Sequence, residues 1–530
     1  MQSYLKFRTT SSKLIILLVT IFLLLATIPF AAELSPNVPL SHWSYPLLDK
    51  LAALGLVTES MLNTKPYTRI EAAKMVNEAL KNLDEYKTAD TTAHSKWTEL
   101  ANDIINRLQK EFAIELQSLN ENSGVSNNTY LKPVDEIYGE YLYGNKVFQI
   151  ENRQGDKFAQ HSNFRIGFDS YGQWANMLGY YLHPEYRYSD SEYNQGKLVE
   201  GYAKGQFGNL EIEVGRDSFW WGPGYHGDWI LTDNAAPFDM IKLSNAEPIL
   251  LPWIFRRLGP MDITTFLTKL EENRDYPYTR LWGMRVGFKP TPAIEFGVSR
   301  SALFGGEGRP SMSFSDYLDM ILGQGEHDPN NLRTDQIAGF DCAWQINNLD
   351  RKLHVLRTMK IYIDGAGEDF AYGGPLPSRW AWLYGISFGD IGLNGKNDFR
   401  IEYANDHVTA DDRYPDPGYW YTHPLYTSGY TYYGTIIGHE LGSDGNDLLL
   451  EWTHFFSPSW RGSLTYDVHK WRLADTTPAK IQYLQPQLTF YGKDNYTISA
   501  AYRYEKETAG NERGTDQTNH IIFLNTTYSF

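Results

Sequence analysis

From about Asp135 onward, apolar and polar positions alternate with a period of two. Leu210, Ile212 and Val214 alternate with Glu211 and Glu213, and Phe399, Ile401 and Tyr403 with Arg400 and Glu402. Leu464, Tyr466 and Val468 alternate with Thr465, Asp467 and His469; Tyr496, Ile498, Ala500, Tyr502 and Tyr504 alternate with Thr497, Ser499, Ala501, Arg503 and Glu505. Successive strand side chains point to opposite faces, so each run has one apolar and one charged face. Such strands suit a wall between lipid and a wet lumen, or an antiparallel sheet with one solvated face. The connections separate the two. Gly492 to Asn495, Ser457 to Arg461, Gly392 to Asp398, Asn347 to Arg351, Lys289 to Ala293 and Phe207 to Asn209 are short. Glu505 to His520, Trp471 to Ile481, Asp406 to Asp447, Asp364 to Arg379 and Ala302 to Asp335 are longer. Short turns at one end and long loops at the other are the parity of a membrane barrel. The pattern predicts a mainly β chain: a transmembrane antiparallel β-barrel of about 18 strands.

The period changes to helical before the barrel. Tyr45, Leu48, Leu51, Ala52 and Leu54 recur at helical spacing, with Gly55 as a cap. Thr68 and Glu71 form a capping-box pattern ahead of Ala72, Met75, Val76 and Leu80. A third helix is predicted over Ser95–Leu119, with Trp97, Leu100, Ile104, Ile105, Leu108, Phe112 and Leu116 on one side. Residues 33–120 thus read as a small N-terminal α-helical bundle, and the polar stretch 121–134 as a linker to a barrel at 135–530. The HWSYPLLDKLAALGLV and TRIEAAKMVNEAL runs resemble a degenerate surface-layer-homology repeat, with TESMLNTKPY in place of its glycine-rich turn. The other reading is a bundle that simply packs on the barrel.

Both ends of the chain fit export to an outer membrane. Lys6, Arg8 and Lys13 precede the apolar run Leu14–Ile28, and Ala31 and Ala32 follow, so residues 1–32 read as a signal peptide. The C-terminal NHIIFLNTTYSF places Ile522, Leu524, Thr526, Tyr528 and Phe530 on one strand face. A strand with a last aromatic resembles the terminal signal of bacterial outer-membrane barrels.

Composition narrows the function classes. The 37 Tyr, 26 Phe, 15 Trp and 44 Gly suit aromatic girdles and tight turns. Mean hydropathy of −0.45 is too polar for a helical membrane protein. One cysteine, Cys342, excludes an internal disulfide. The net charge of −16 falls to −19 once Lys6, Arg8 and Lys13 leave, which argues against a nucleic-acid partner. No HExxH or P-loop is present, and no nucleophile accompanies His226 and Asp228, so the chain is read as a non-enzyme.

The densest chemistry is GRDSFWWGPGYHGDWILTDNAAPFDMIKLS, Gly215–Ser244. Trp220, Trp221, Tyr225 and Trp229 lie beside Arg216, Asp217, His226, Asp228, Asp233 and Asn234. Flat aromatic faces with nearby carboxylates and amides suit sugar rings, whose CH patches stack while their hydroxyls hydrogen-bond. The alternative is aromatic packing inside a wide barrel. The candidate polysaccharide-binding set is therefore Arg216, Trp220, Trp221, Tyr225, His226, Asp228, Trp229, Asp233 and Asn234. Asp406, Asp411, Asp412 and Asp416 form either a Ca²⁺-holding or a solvated acidic loop. His423, His439 and His454 show no metal-ligand spacing, so neither metal nor cofactor is expected.

GRDSFWWGPG, NAAPFDMIKL and YTYYGTIIGHELGSDGN at Tyr430–Asn446 resemble the capsule-assembly outer-membrane family Wzi. That resemblance implies an 18-stranded barrel with a helical bundle at its periplasmic mouth and lectin-like retention of capsular polysaccharide at the cell surface. Three functions are weighed: a surface lectin for capsular or extracellular polysaccharide, a sugar-selective or general porin, and a lipid- or glycan-acting enzyme. A monomer in outer-membrane lipid is expected. Peptidoglycan and export machinery are candidate partners of a periplasmic bundle.

Overall fold

The computed structural model describes residues 34–89, 96–120, 129–190, 193–321, 334–370, 377–407, 418, 420–473, 478–493, 495–508 and 516–530. The segment 1–32 expected to be a signal peptide, most of the expected linker, and Asp411, Asp412 and Asp416 lie outside them.

Eighteen antiparallel strands close into one barrel. They are β1 Tyr130–Gly144, β2 His161–Trp174, β3 Leu178–Ser189, β4 Asn194–Phe207, β5 Leu210–Asp217, β6 Phe238–Asn245, β7 Pro260–Lys269, β8 Arg280–Thr291 and β9 Ile294–Phe304. There follow β10 Thr334–Ile346, β11 Thr358–Phe370, β12 Pro377–Ile391, β13 Asn397–Asn405, β14 Gly445–Ser457, β15 Trp460–Trp471, β16 Ala479–Tyr491, β17 Tyr496–Thr508 and β18 Gln517–Ser529. Each strand pairs with its neighbours in sequence. β18 returns to β1, from Glu136 opposite Ser529 to Gly144 opposite Ile521. β1 starts at Tyr130, five residues inside the stretch read as linker. A bulge between Lys132 and Glu136 absorbs Pro133, which has no N–H for the ladder.

The two faces are inverted relative to a soluble sheet. On β2, Phe164, Ile166 and Phe168 are exposed outward while Asn163, Arg165 and Asp169 are buried inward. On β18, Ile522, Leu524 and Tyr528 point out and Asn519, Thr527 and Ser529 point in. An outward apolar band and a polar interior are what a barrel in lipid requires. Several of the inward charges are tolerated because they are paired. Lys204 lies 2.8 Å from Glu211, Lys242 2.8 Å from Glu213, and Arg285 grips Asp341 through two nitrogens at 2.6 and 3.1 Å.

Phe530 donates its N–H to the Asp135 carbonyl at 2.8 Å, extending the β1–β18 closure by one residue, with its ring exposed beside Tyr528. Deleting Phe530 is expected to reduce the yield of assembled barrel. Heat-modifiable gel migration of membrane fractions reads this directly, and a normal folded yield would count against it.

Among the described residues four helices precede the barrel: α1 Tyr45–Ala53, α2 Arg69–Ala89, α3 Lys96–Glu111 and α4 Ala113–Asn120. The capping box forms as predicted: Thr68 N–H donates to the Glu71 carboxylate at 2.6 Å and Glu71 N–H to Thr68 Oγ1 at 3.2 Å. The single third helix expected over Ser95–Leu119 is instead α3 and α4, broken at Phe112. Phe112 is fully buried, and the Glu111 carbonyl freed at the break accepts from Arg69 Nη2 at 2.7 Å. The bundle core of Leu48, Leu51, Val76, Leu83, Trp97, Ile104 and Leu108 continues into the barrel wall through Phe455 and Tyr491. Lys50 enters the mouth to reach Asp398 at 2.8 Å, and Arg107 donates to the Gly492 carbonyl at 2.6 Å. The bundle therefore closes the end of the barrel that carries the short turns.

Candidate functional site

The Trp-rich segment between β5 and β6 folds back into the lumen instead of lying over the rim. There Trp220 and Trp221 pair as a two-residue ladder with Lys65 and Thr64 from the segment joining α1 to α2. Gly222 N–H donates to the Asn63 carbonyl at 2.8 Å. The turn that follows needs its glycine. Gly222 has φ +138°, and a Cβ there would sit 2.2 Å from Asp228 Oδ1, the oxygen that accepts from Gly224 N–H at 3.1 Å.

The long loop between β13 and β14 packs on this segment from the other side. Trp229 stacks on His439 at 5.0 Å and meets Trp420 edge-on at 5.8 Å. The Tyr421 hydroxyl donates to the Trp229 carbonyl at 2.6 Å, and Thr232 Oγ1 to the Gly438 carbonyl at 2.7 Å. Phe219, Trp221, Ile230, Leu231, Phe238, Tyr421, Tyr426, Tyr430, Ile437 and Leu441 complete an apolar core inside the barrel. The two loops form a plug on the side of the long loops, facing the bundle at the other end.

A cavity of about 670 Å³ lies between plug and bundle. Its floor is Leu40, Trp43 and Pro46, its roof Trp220, Tyr225, His226 and Asp233, and its walls mix Arg, Glu, Gln, Tyr and Thr from the strands. Tyr225 is placed by its own backbone: Tyr225 N–H and His226 N–H each donate to Glu402 at 2.8 Å. Its hydroxyl donates to Glu451 at 2.9 Å, and the Arg400 guanidinium lies 3.7 Å from the ring centre, covering one face. Burial pushes the Asp233 carboxyl well above the usual carboxylate range, and one of its oxygens, Oδ1, has no hydrogen-bond partner.

Of the nine sequence-predicted residues, Trp220, Tyr225, His226 and Asp233 border this cavity. Trp221, Asp228, Trp229 and Asn234 lie within the plug; the Asn234 amide donates to the Ile436 carbonyl at 3.0 Å. Burial, with Asp364 and Glu402 nearby, holds the Asp228 carboxyl well above its ordinary value. Arg216 stands apart on the outer face of β5, paired with Asp239 at 2.7 Å. Asp406, from the predicted acidic loop, is buried and staples that loop by accepting from Gly445 N–H at 2.6 Å. His423 accepts from the N–H groups of Leu425 and Tyr426 at 3.2 Å, and His454 bonds Asn397 at 2.7 Å. Sequence reasoning missed the wall residues Arg400, Glu402 and Glu451, because their strand alternation marks the luminal face but not which strands face one another. It also missed the convergence of His226, Glu440, Asp447 and Asp467. The GHELGSDGN run was the available signal for one of these, Glu440.

Comparison with known proteins agrees with this architecture. The family model for capsule assembly protein Wzi matches residues 144–521. An uncharacterized 55.8 kDa protein in the cps region of Klebsiella pneumoniae is 28% identical over 250 residues, 47% of this chain. That match spans 46% of the relative's length, so about half of it. The solved structure of Wzi from Escherichia coli, an outer-membrane protein involved in group 1 capsule assembly and a carbohydrate-binding β-barrel, superposes with a TM-score of 0.68 at 19% identity. The superposition covers 94% of this chain and 100% of that one.

Proposed function

This chain belongs to the Wzi family of capsule assembly proteins, and from that premise we propose that it is a non-enzymatic outer-membrane protein that holds exported capsular or extracellular polysaccharide at the cell surface. The outward apolar band sits in lipid, the bundle lies on the periplasmic side, and the long loops face outward. The observation that carries the reading is the lumen itself. An aromatic plug lies on one side of it and helices cover the other, and between them is a chamber of mixed aromatic and polar walls. A lumen occupied from both sides does not suit a porin. A chamber of this size suits a short stretch of sugar, with ring faces against Trp220 and the uncovered face of Tyr225, and hydroxyls toward His226 and Asp233. A fully apolar wall would strand each buried hydroxyl at a cost of about 1–3 kcal/mol. A fully polar one would forgo the gain from taking CH faces out of water.

Two measurements test this. In planar bilayers the intact protein should stay electrically silent while binding polysaccharide; large steady conductance without binding would favour the porin instead. Tyr225→Ala should weaken polysaccharide retention while leaving thermal unfolding near that of the parent, because the ring borders a cavity and is not packed in a core. Full retention by a folded Tyr225→Ala chain would remove this ring from the sugar site.

A further inference from the structure

Four ionisable side chains from three separate segments meet beside the cavity roof. His226 comes from the loop between β5 and β6, Glu440 from the loop between β13 and β14, and Asp447 and Asp467 from β14 and β15. The His226 Nε2 atom lies 2.9 Å from Asp467 Oδ2, 3.2 Å from Glu440 Oε1 and 3.5 Å from Asp447 Oδ2. One ligand atom from each of the four lies within 4.8 Å of every other. His226, Asp447 and Asp467 are 8%, 2% and 1% exposed. Yet Asp447 Oδ1 and both oxygens of Asp467 are buried without a well-aligned hydrogen bond, and His226 Nε2 meets Asp467 and Glu440 only as an ion pair. Among the described residues no lysine or arginine pairs with these three carboxylates. Asp447 and Asp467 are also diagonal neighbours on one luminal face, since Asp447 opposes His469 and Asp467 opposes Leu449. Like charges so placed repel unless something positive sits between them.

We propose that His226, Glu440, Asp447 and Asp467 form a divalent-cation site that pins the two plug loops to the barrel wall. Metal–ligand bonds of about 2.1 Å set ligand-to-ligand edges of roughly 3.0 Å in an octahedron and 3.4 Å in a tetrahedron. The three distances around Nε2 match those edges, so a small inward adjustment seats an ion among them. One imidazole with carboxylates suits Mn²⁺ or Zn²⁺ better than Ca²⁺, which collects six to eight oxygens. The site shares His226 with the cavity roof, while Glu440, Asp447 and Asp467 lie outside the cavity lining.

The test uses the full chain in detergent, stripped with a chelator and titrated with Mn²⁺ or Zn²⁺. The expected result is uptake of one ion per chain, with nitrogen coupling from a single imidazole in the Mn²⁺ spectrum. Asp467→Asn should weaken uptake by at least about tenfold. Glu440→Gln, at the least buried ligand, should weaken it with heat-modifiable migration unchanged. Chelation should lower the melting temperature of the parent but not of an Asp447→Asn, Asp467→Asn double variant. No stoichiometric uptake would mean an imidazolium–carboxylate ion pair only and would overturn the site, as would unchanged affinity and nitrogen coupling in folded His226→Gln.

Discussion

Trp221→Ala should cost about 3–5 kcal/mol of stability, the range for deleting a buried indole. Trp221 is 2% exposed, meets Phe219 and Phe266 edge-on at 5.5 and 5.6 Å, and belongs to a ladder that ties plug to bundle. The loss combines transfer and cavity contributions. Polysaccharide retention by this variant should fall only with its folded fraction. Thermal unfolding and retention measured on one preparation, beside Tyr225→Ala, give opposite signatures: stability lost at Trp221, binding lost at Tyr225. A Trp221→Ala chain that melts normally but no longer retains polymer would move this indole from the core into the sugar site.

The second large effect is expected at Arg69. Its guanidinium lies between the rings of Phe112 at 5.0 Å and Tyr171 at 4.6 Å, the latter on β2. It donates to Glu115 at 2.8 Å, to the Glu111 carboxylate at 2.9 Å and to the Glu111 carbonyl at 2.7 Å. Arg69→Ala would strand two buried carboxylates and the carbonyl at the α3–α4 break. Removing one partner of a buried ionic set costs about 3–5 kcal/mol. Because Arg69 joins the bundle to the wall, the loss should show as bundle release. Limited proteolysis should clip residues 45–120 while the barrel stays resistant. A bundle as protected as in the parent would mean that the apolar core shared with Phe455 and Tyr491 holds it without the arginine.

Much of the barrel was legible in the chain because its physics is local. Alternation at Leu210–Val214 or Leu464–Val468 follows from strand geometry, and loop length follows from topology. The break at Phe112 was not legible, since the helical stripe runs through it and the interruption depends on Arg69, distant in sequence. The candidate site was half legible. The aromatic and acidic residues of Gly215–Ser244 stood out, but whether an indole faces sugar or a neighbouring ring depends on where a loop folds. Trp221 is turned into the core by its pairing with Thr64, and Trp229 by His439 and Trp420. His226, Glu440, Asp447 and Asp467 could not be grouped without the strand register that puts Asp447 and Asp467 on one face.

The short ladder between Thr64–Lys65 and Trp220–Trp221 gives this membrane protein an internal tie rod. Force applied to the outer loops by a tethered polymer has two routes: through the lipid-facing wall, or down the lumen axis. Four residues in extended pairing, continued by Gly222 N–H to the Asn63 carbonyl, connect the plug to the segment between α1 and α2. Strain on the outside would thus reach the helices directly, as tension along a chain that never crosses lipid.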